Sequence, residues 1–201
     1  MNTTVIYMVR HAESPFVFGA ERTRGLSEEG HAAAKRVASY FETIPVDVIC
    51  ASTYERTKQT VQPTADAHGI PIEQYEELIE RAIKDQTDKA PWEALVVAIR
   101  ESFINHEYAL KGGETTRQAQ ERAIPCIKQL LDTHQGKNIV IGTHGNIMTI
   151  IMNYYDPSYG FDFWESTSKP DIYAMTFDGQ TIMGIERVWK EKDNVELDER
   201  N

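Results

Sequence analysis

Three short apolar runs, each rich in β-branched or aromatic residues, recur along the chain at Val5–Val9, Val46–Cys50 and Asn138–Gly142. Runs of this length, bounded by polar residues, predict buried strands. Segments of helical periodicity separate them, and this alternation is typical of a mostly parallel sheet with helices on both faces. Two more runs flank Asp178-Gly179, a hairpin signal. The sequence therefore predicts a three-layer α/β/α fold.

Side-chain oxygens at segment starts predict where helices begin. Ser27, followed by two glutamates, is expected to cap the first helix. Ser52 or Thr53 is expected to cap the second, which runs to about His68. A later helix is predicted to begin at Thr115 or Thr116.

Two segments lack a clear period. The first is 14–25, which contains proline and glycine, and the second is 76–112, which is helical only near its centre. We predict one domain over residues 1–190, with 76–112 as a small helical cap and 191–201 as a charged tail. Loops and insertions of this kind usually carry specificity.

The charge balance restricts the expected partners. The chain has a formal net charge of −10 and a sequence pI of about 5.1. Such a surface repels nucleic acid and anionic membrane, so we expect neither as a partner. An anionic small molecule would need a local cluster of basic residues.

The N-terminal residues lack the basic flank and long apolar run of a signal peptide. Cys50 and Cys126 lie far apart in sequence and are typical of reduced thiols. We therefore expect a cytoplasmic protein, as a monomer or homodimer.

Charged and polar residues follow each of the three predicted strands. Arg10 and His11 follow the first, Arg56 comes shortly after the second, and Thr143 and His144 follow the third. In open α/β sheets, ligands gather at the carboxyl ends of strands. The predicted sheet therefore brings two histidines and two arginines to one edge.

This combination suits phosphoryl chemistry. A neutral imidazole can attack phosphorus to form a phosphohistidine, and a second, protonated histidine can hold the phosphoryl oxygens. Guanidinium groups bind phosphate through forked donors, and a nearby carboxylic acid would protonate the leaving alkoxide. No metal or other cofactor is required if the cationic side chains neutralise the charge.

Several segments, in chain order, resemble the histidine phosphatase superfamily, the phosphoglycerate mutase-like proteins. The resemblance implies the fold of that family, and it runs from residue 5 to about residue 154. The matching segments are Val9–Ser14, Leu26–Gly30, Ser52–Thr60, Leu78–Arg81, Gly112–Thr115 and Thr143–Asn146.

The resemblance implies roles for five residues. His11 would be the nucleophile that becomes phosphorylated. Arg10, Arg56 and His144 would form the phosphate pocket. Glu80 would protonate the leaving group and then help water to attack the phosphohistidine. Members of the family work without a metal.

Five other residues have two open interpretations. Ser14 and Asn146 could contact phosphate or merely cap helices. Arg22, Arg24 and Arg81 could recognise a second anionic group on the substrate or lie on the solvated surface.

The chain departs from the family pattern near the site. Ala12 follows the nucleophile where glycine is commoner, and Val17 replaces a phosphate-contacting asparagine. An aromatic-Glu-Gly stretch that often follows the acid/base glutamate is replaced by residues 83–86. Glu76 and Glu77 are therefore alternatives to the predicted glutamate.

A competing interpretation places the nucleophile on Cys50, because five residues separate it from Arg56 as in cysteine-dependent phosphatases. Such loops use successive backbone N–H groups, usually helped by glycine, to hold an anion. The intervening residues contain no glycine, and Glu55 would place a carboxylate in the phosphate cradle. The sequence favours a buried structural cysteine.

The predicted function is a phosphoric monoester hydrolase that acts on a small phosphorylated metabolite through a phosphohistidine. The chain lacks the longer insertion and tail of the dedicated mutases, which favours hydrolysis over phosphoryl return. The alternatives are phosphoglycerate mutase-type transfer and a non-catalytic member of the fold that binds a phosphorylated ligand. A two-histidine metal site is disfavoured, since no further ligand stands at suitable spacing.

Overall fold

A six-stranded sheet forms the centre of the computed structural model, which describes residues 3–190. Its order is β3-β2-β4-β1-β5-β6; the first four strands run parallel, whereas β5 and β6 form an antiparallel hairpin beside β1. The mostly parallel sheet is confirmed. The strands are β1 (Thr3–Arg10), β2 (Val48–Ser52), β3 (Ile72–Tyr75), β4 (Asn138–Thr143), β5 (Asp171–Asp178) and β6 (Thr181–Arg187).

Helices cover both faces of this sheet. Within the described part of the chain, none has the length and apolar composition needed to cross a membrane. A short 3₁₀ turn at Glu76–Leu78 precedes the cap segment. The helices are α1 (Glu28–Phe41), α2 (Glu55–His68), α3 (Trp92–Ile104), α4 (Thr116–Thr133), α5 (Gly145–Tyr155) and α6 (Phe161–Ser166).

Alternating side chains of β1 divide the interior into two cores. Ile6 and Met8 pack with α4 and α5, whereas Tyr7 and Val9 pack with α1 and α2. This period of two is the one expected of a strand buried on both faces. The three-layer prediction is therefore confirmed.

Helix starts follow local hydrogen bonding. The Ser27 hydroxyl accepts from the backbone N–H of Gly30, and Thr115 forms a capping box with Gln118. The prediction that Ser52 or Thr53 caps α2 is wrong: the helix begins after Tyr54, which makes no side-chain cap. Ser52 is instead the last residue of β2, and its hydroxyl contacts the side chains of Thr57 and His144.

The cap segment has a small core of its own. Ile83 and the buried face of α3 pack against Phe161 and Trp164 of α6. Helix α6 was not predicted, because its six residues are too few to show a period. The division into one domain over 1–190 remains a prediction, and the predicted charged tail lies outside the described residues.

Candidate active site

Strand register brings the two predicted histidines together. Arg10 of β1 lies opposite Thr143 of β4, so His11 and His144 leave neighbouring parallel strands at the same edge. The His11 backbone N–H donates to the Thr143 carbonyl at 2.9 Å, which extends the ladder by one residue. The two imidazole rings lie 5.4 Å apart between centroids. This edge is where open α/β sheets place their ligands.

The His11 ring is held in one tautomer. Its Nδ1 lies 2.7 Å from the Ala12 carbonyl oxygen, which can only accept a hydrogen bond. Nδ1 must therefore carry the proton, and the neutral ring has its lone pair on Nε2. Burial, together with Arg56 and Arg10, holds the pKa of His11 well below its ordinary value. His11 is consequently a neutral imidazole with a nucleophilic Nε2.

Ala12, the departure from glycine, fits this arrangement. It is fully buried, and its backbone N–H donates to the Thr60 hydroxyl at 3.0 Å. The extra methyl group is accommodated without loss of the carbonyl contact to His11. Val17, the second departure, is half exposed and does not line the cavity described below.

His144 is fully buried and held from one side. Its Nε2 lies 2.8 Å from the Ser52 hydroxyl, whereas its Nδ1 has no partner among the described residues. Burial, Arg56 and His11 hold the pKa of His144 well below its ordinary value. This environment therefore favours the neutral ring, and a bound anion would favour its protonation.

Arg10 is positioned by close packing. Its Nη1 donates to the Thr167 carbonyl at 2.8 Å and also to the Thr167 hydroxyl. A Cβ atom placed on Gly145 would lie only 2.7 Å from Cζ and Nε of Arg10. The glycine after His144 is thus required so that the guanidinium can lie against the start of α5.

Arg56 is fully buried and already paired. Its Nη1 donates to the Glu21 carbonyl at 2.5 Å, and its Nη2 lies 3.3 Å from the Glu21 carboxylate. The same carboxylate lies 3.5 Å from Arg24 Nη2. Glu21 is therefore a part of the site that the sequence did not indicate.

Glu80 lies at the N-terminus of α5. Its carboxylate accepts from the backbone N–H groups of Asn146 at 3.1 Å and Ile147 at 2.8 Å. Of the alternatives, Glu76 pairs with Arg22 at the surface, and Glu77 does not line the cavity. Of the three glutamates, Glu80 is the one that lines the cavity.

The remaining predicted residues separate into two groups. Ser14, Asn146, Arg24 and Arg81 line the cavity, whereas Arg22 lies outside its lining. Both side-chain polar atoms of Asn146 are buried without a partner.

Ser14 and Arg24 hold each other. The Ser14 hydroxyl donates to the Gly25 carbonyl at 2.7 Å and accepts from Arg24 Nη1 at 2.8 Å. This pair ties the start of the loop 14–25 to its end.

Arg81 enters the cavity from the cap side. Its Nη2 donates to the Ser102 hydroxyl at 3.0 Å, whereas Nε and Nη1 are buried without a partner. Burial lowers the pKa of Arg81 to about 10. Its guanidinium therefore has donors available for a ligand.

Most of these groups border one cavity of about 780 Å³. Arg10, His11 and Arg56 line it at one place, and the buried His144 lies directly behind them, beside His11. These four residues are here called the basic end. The lining also includes Trp164 and, among residues that sequence reasoning did not select, Phe16, Phe18, Glu21, Tyr54, Trp92 and Lys169.

Lys169 reaches the cavity through strand pairing. Asp171 lies opposite Arg10 in the antiparallel pair of β5 and β1, which puts the residues before β5 at the same edge of the sheet as His11. Burial, followed by Arg10 and Arg24, lowers the pKa of Lys169. The hairpin was predicted from sequence, but its pairing with β1 was not. The sequence therefore did not indicate that Lys169 lies at the cavity.

Cys50 takes no part in the cavity. It is fully buried in β2 and does not line the cavity, and burial raises the pKa of its thiol. A thiolate nucleophile there is excluded, in agreement with the sequence interpretation. Among residues 3–190, no group of three or more histidine, cysteine or acidic side chains could hold a metal ion.

Comparison with known proteins agrees with this geometry. The model of the histidine phosphatase superfamily (branch 1) matches residues 6–182. No curated protein sequence matches the chain.

Solved structures with the same fold include three informative relatives. Bacillus stearothermophilus YhfR is 25% identical, with a TM-score of 0.71 over 89% of this chain and 94% of that one. A mycobacterial glucosyl-3-phosphoglycerate phosphatase is 17% identical, with a TM-score of 0.71 over 92% and 97%. A protein described as mycobacterial hydrolase 1 is 16% identical, with a TM-score of 0.74 over 92% and 96%.

The family model spans most of the chain, and the fold agrees with it throughout that range. The chain therefore belongs to the histidine phosphatase superfamily, branch 1.

Proposed function

We propose that the protein hydrolyses phosphate monoesters of small metabolites through a phosphohistidine on His11. The observation that carries the proposal is the contact between His11 Nδ1 and the Ala12 carbonyl, which leaves the lone pair on Nε2 beside a basic end. Solved relatives with the same fold include a phosphatase, and that relative has been observed with inorganic phosphate.

In the first step, His11 Nε2 attacks phosphorus while the bond from phosphorus to the ester oxygen breaks. Arg10, Arg56 and a protonated His144 offset the charge on the phosphoryl oxygens. The departing alkoxide takes a proton from Glu80, which lies at the N-terminus of α5. The products of this step are the alcohol and phosphorylated His11.

In the second step, water attacks phosphorus and the bond to Nε2 breaks. Glu80, now a carboxylate, accepts a proton from the water, and inorganic phosphate leaves. His11 returns to its neutral form, because its depressed pKa disfavours a lasting imidazolium. None of these steps requires a metal ion.

The test is phosphate release from a broad panel of esters by the wild-type protein, His11→Ala and Cys50→Ser. We expect His11→Ala to lose activity by several orders of magnitude, since it removes the nucleophile. Cys50→Ser should retain activity, because the thiol does not reach the cavity. Acid-labile phosphate on His11 should be detectable by mass spectrometry after rapid quenching.

Loss of activity in Cys50→Ser with activity retained in His11→Ala would overturn the proposal. Isomerisation of 3-phosphoglycerate without phosphate release would replace it with the mutase alternative. Phosphate binding without turnover of any ester would indicate a non-catalytic member of the fold.

A further inference from the structure

Four aromatic side chains border the cavity away from its basic end. Phe16 and Phe18 lie on the loop 14–25, Trp92 begins α3, and Trp164 belongs to α6. Phe16 is 71% exposed, Trp92 is 61% exposed and Phe18 is 44% exposed. We call these four residues the aromatic mouth.

The aromatic mouth joins two segments that are distant in sequence. The Trp92 and Trp164 rings lie 6.2 Å apart between centroids, which continues the apolar surface from α3 to α6. The Lys89 ammonium lies 5.0 Å from the centre of the Phe18 ring, so the loop also meets the cap. The loop and the cap therefore meet at the border of the cavity.

Packing within the protein does not account for this exposure. The core of the cap comprises Ile83, Ala98, Ile99, Phe161 and Trp164; neither Phe16 nor Trp92 belongs to it, although the Trp92 ring lies beside that of Trp164. Single exposed apolar residues are common, but several aromatic rings around one opening mark a binding surface. Exposed aromatic rings contribute most to binding free energy when a flat apolar group packs against them.

The position of the mouth identifies what would cover it. The same cavity contains His11 and Arg56, which are proposed to hold the phosphoryl group. An ester bound there must direct its alcohol portion away from the basic end. Leu95 and Ile99 of α3 also line that path, so the alcohol would meet apolar surface.

We infer that the preferred substrates are phosphate monoesters whose alcohol portion carries an apolar, aromatic surface. This inference rests on the proposed phosphatase function of the same site. The aromatic mouth would bind the ring of the alcohol while the basic end holds the phosphoryl group. Simple short-chain esters would use only half of the cavity.

The test compares two esters with chemically similar leaving groups, 2-phenylethyl phosphate and ethyl phosphate. Both release a primary alcohol, so a difference in kcat/KM reports on binding of the ring. We expect kcat/KM to be about tenfold higher or more for 2-phenylethyl phosphate, as burying one ring in an apolar site allows. Trp92→Ala and Phe16→Ala should each lower that ratio several-fold.

The matched control is Val97→Ala, because Val97 is an exposed apolar residue of the same helix that does not line the cavity. It should leave the ratio unchanged. Equal kcat/KM for the two esters would overturn the inference. The inference would also be overturned if Trp92→Ala left the ratio of the two kcat/KM values unchanged, even if both values fell.

Binding measurements separate this inference from the proposed function. Calorimetry with 2-phenylethylphosphonate and ethylphosphonate needs no turnover. Tighter binding of the phenylethyl compound, weakened in Trp92→Ala, would support the aromatic mouth even if no ester were hydrolysed. Equal binding of the two phosphonates would overturn the inference even in a protein that proved to be an active phosphatase.

Discussion

At the basic end of the cavity, three of the four side chains lie on or just after sheet strands, and all except Arg10 are buried. At the aromatic mouth, Phe16, Phe18 and Trp92 lie on a loop and the cap and are exposed, whereas Trp164 of α6 is buried. Arg10 and His11 continue β1, and His144 continues β4. Phe16 and Trp92, by contrast, depend on no sheet register. If the proposed function holds, backbone pairing positions the groups that would act on phosphorus, and the choice of alcohol would depend on the loop and the cap.

Among variants that keep the proposed nucleophile, the largest expected loss comes from Gly145→Ala, which acts on the basic end. The new Cβ would lie 2.7 Å from Arg10 Cζ and must displace the guanidinium. We expect kcat/KM to fall by about a hundredfold for every ester, since misplacement by about 1 Å can have that effect. Steady-state kinetics on both test esters would measure it.

Gly184→Ala is the matched control, because nothing lies within 4 Å of a Cβ built there. It should keep wild-type kinetics. A Gly145→Ala enzyme with an unchanged rate would show that the position of Arg10 does not matter.

Two buried serines allow a comparison between the basic end and the cap, with smaller expected effects on the kinetics. Ser52 holds Nε2 of His144 at the basic end, and Ser102 holds Nη2 of Arg81 beside the cap. We expect Ser52→Ala to lower kcat about tenfold for all esters, because His144 loses its orienting partner. Ser102→Ala should change KM while kcat stays within about threefold.

Kinetics and thermal unfolding should be measured on both serine variants. Ser52→Thr, which keeps a hydroxyl, should recover part of the lost kcat. If the two alanine variants changed kcat and KM in the same way, the division of labour between the two ends would be wrong.

The smallest expected effect is a pH dependence of stability that originates at the basic end. His11 and His144 are neutral in the folded protein with depressed pKa values, whereas in the unfolded chain they take up protons near pH 6.5. The unfolded state then binds more protons, so stability must fall as the pH is lowered through about 6.5. Each unit of depression corresponds to about 1.4 kcal/mol per histidine.

Denaturant unfolding would measure this loss of stability. The experiment is run at about pH 7.5, 6.5 and 5.5, which bracket the unperturbed pKa of histidine. His11→Gln should lose less stability on acidification than the wild-type protein. His31→Gln, at an exposed position of α1, should behave like the wild type. Stability that does not change over this pH range would contradict the buried, neutral state of the two rings.

The residues of the basic end could be predicted from sequence because each of them lies in or next to a recognisable sequence pattern. The apolar run Val5–Val9 predicts the strand, and Arg10 and His11, which follow it directly, are predicted to lie at the end of that strand. Ser52 shows the limit of local reasoning: its hydroxyl resembled a helix cap, yet it bonds to His144, which is 92 positions away.

The aromatic mouth could not be predicted from sequence in the same way. Trp92 begins a predicted helix, but no residue near it in sequence indicates that Trp164 lies beside it. Glu21 and Lys169 likewise reach the cavity only through tertiary contacts with Arg56 and through the pairing of β5 with β1. Local patterns do not encode contacts of this kind.

The pairing of Glu21 with Arg56 has a consequence for how an anion enters. Glu21 accepts from Nη1 of Arg56 through its backbone carbonyl and pairs with Nη2 through its carboxylate, so the charge of Arg56 is partly offset from within the protein. Nε of Arg56 has no partner among the described residues, and each Nη carries a second N–H, so a phosphoryl group would share the guanidinium with Glu21. The carboxylate that stays beside the bound anion would repel it, and the net affinity would be the attraction of Arg56 less this repulsion.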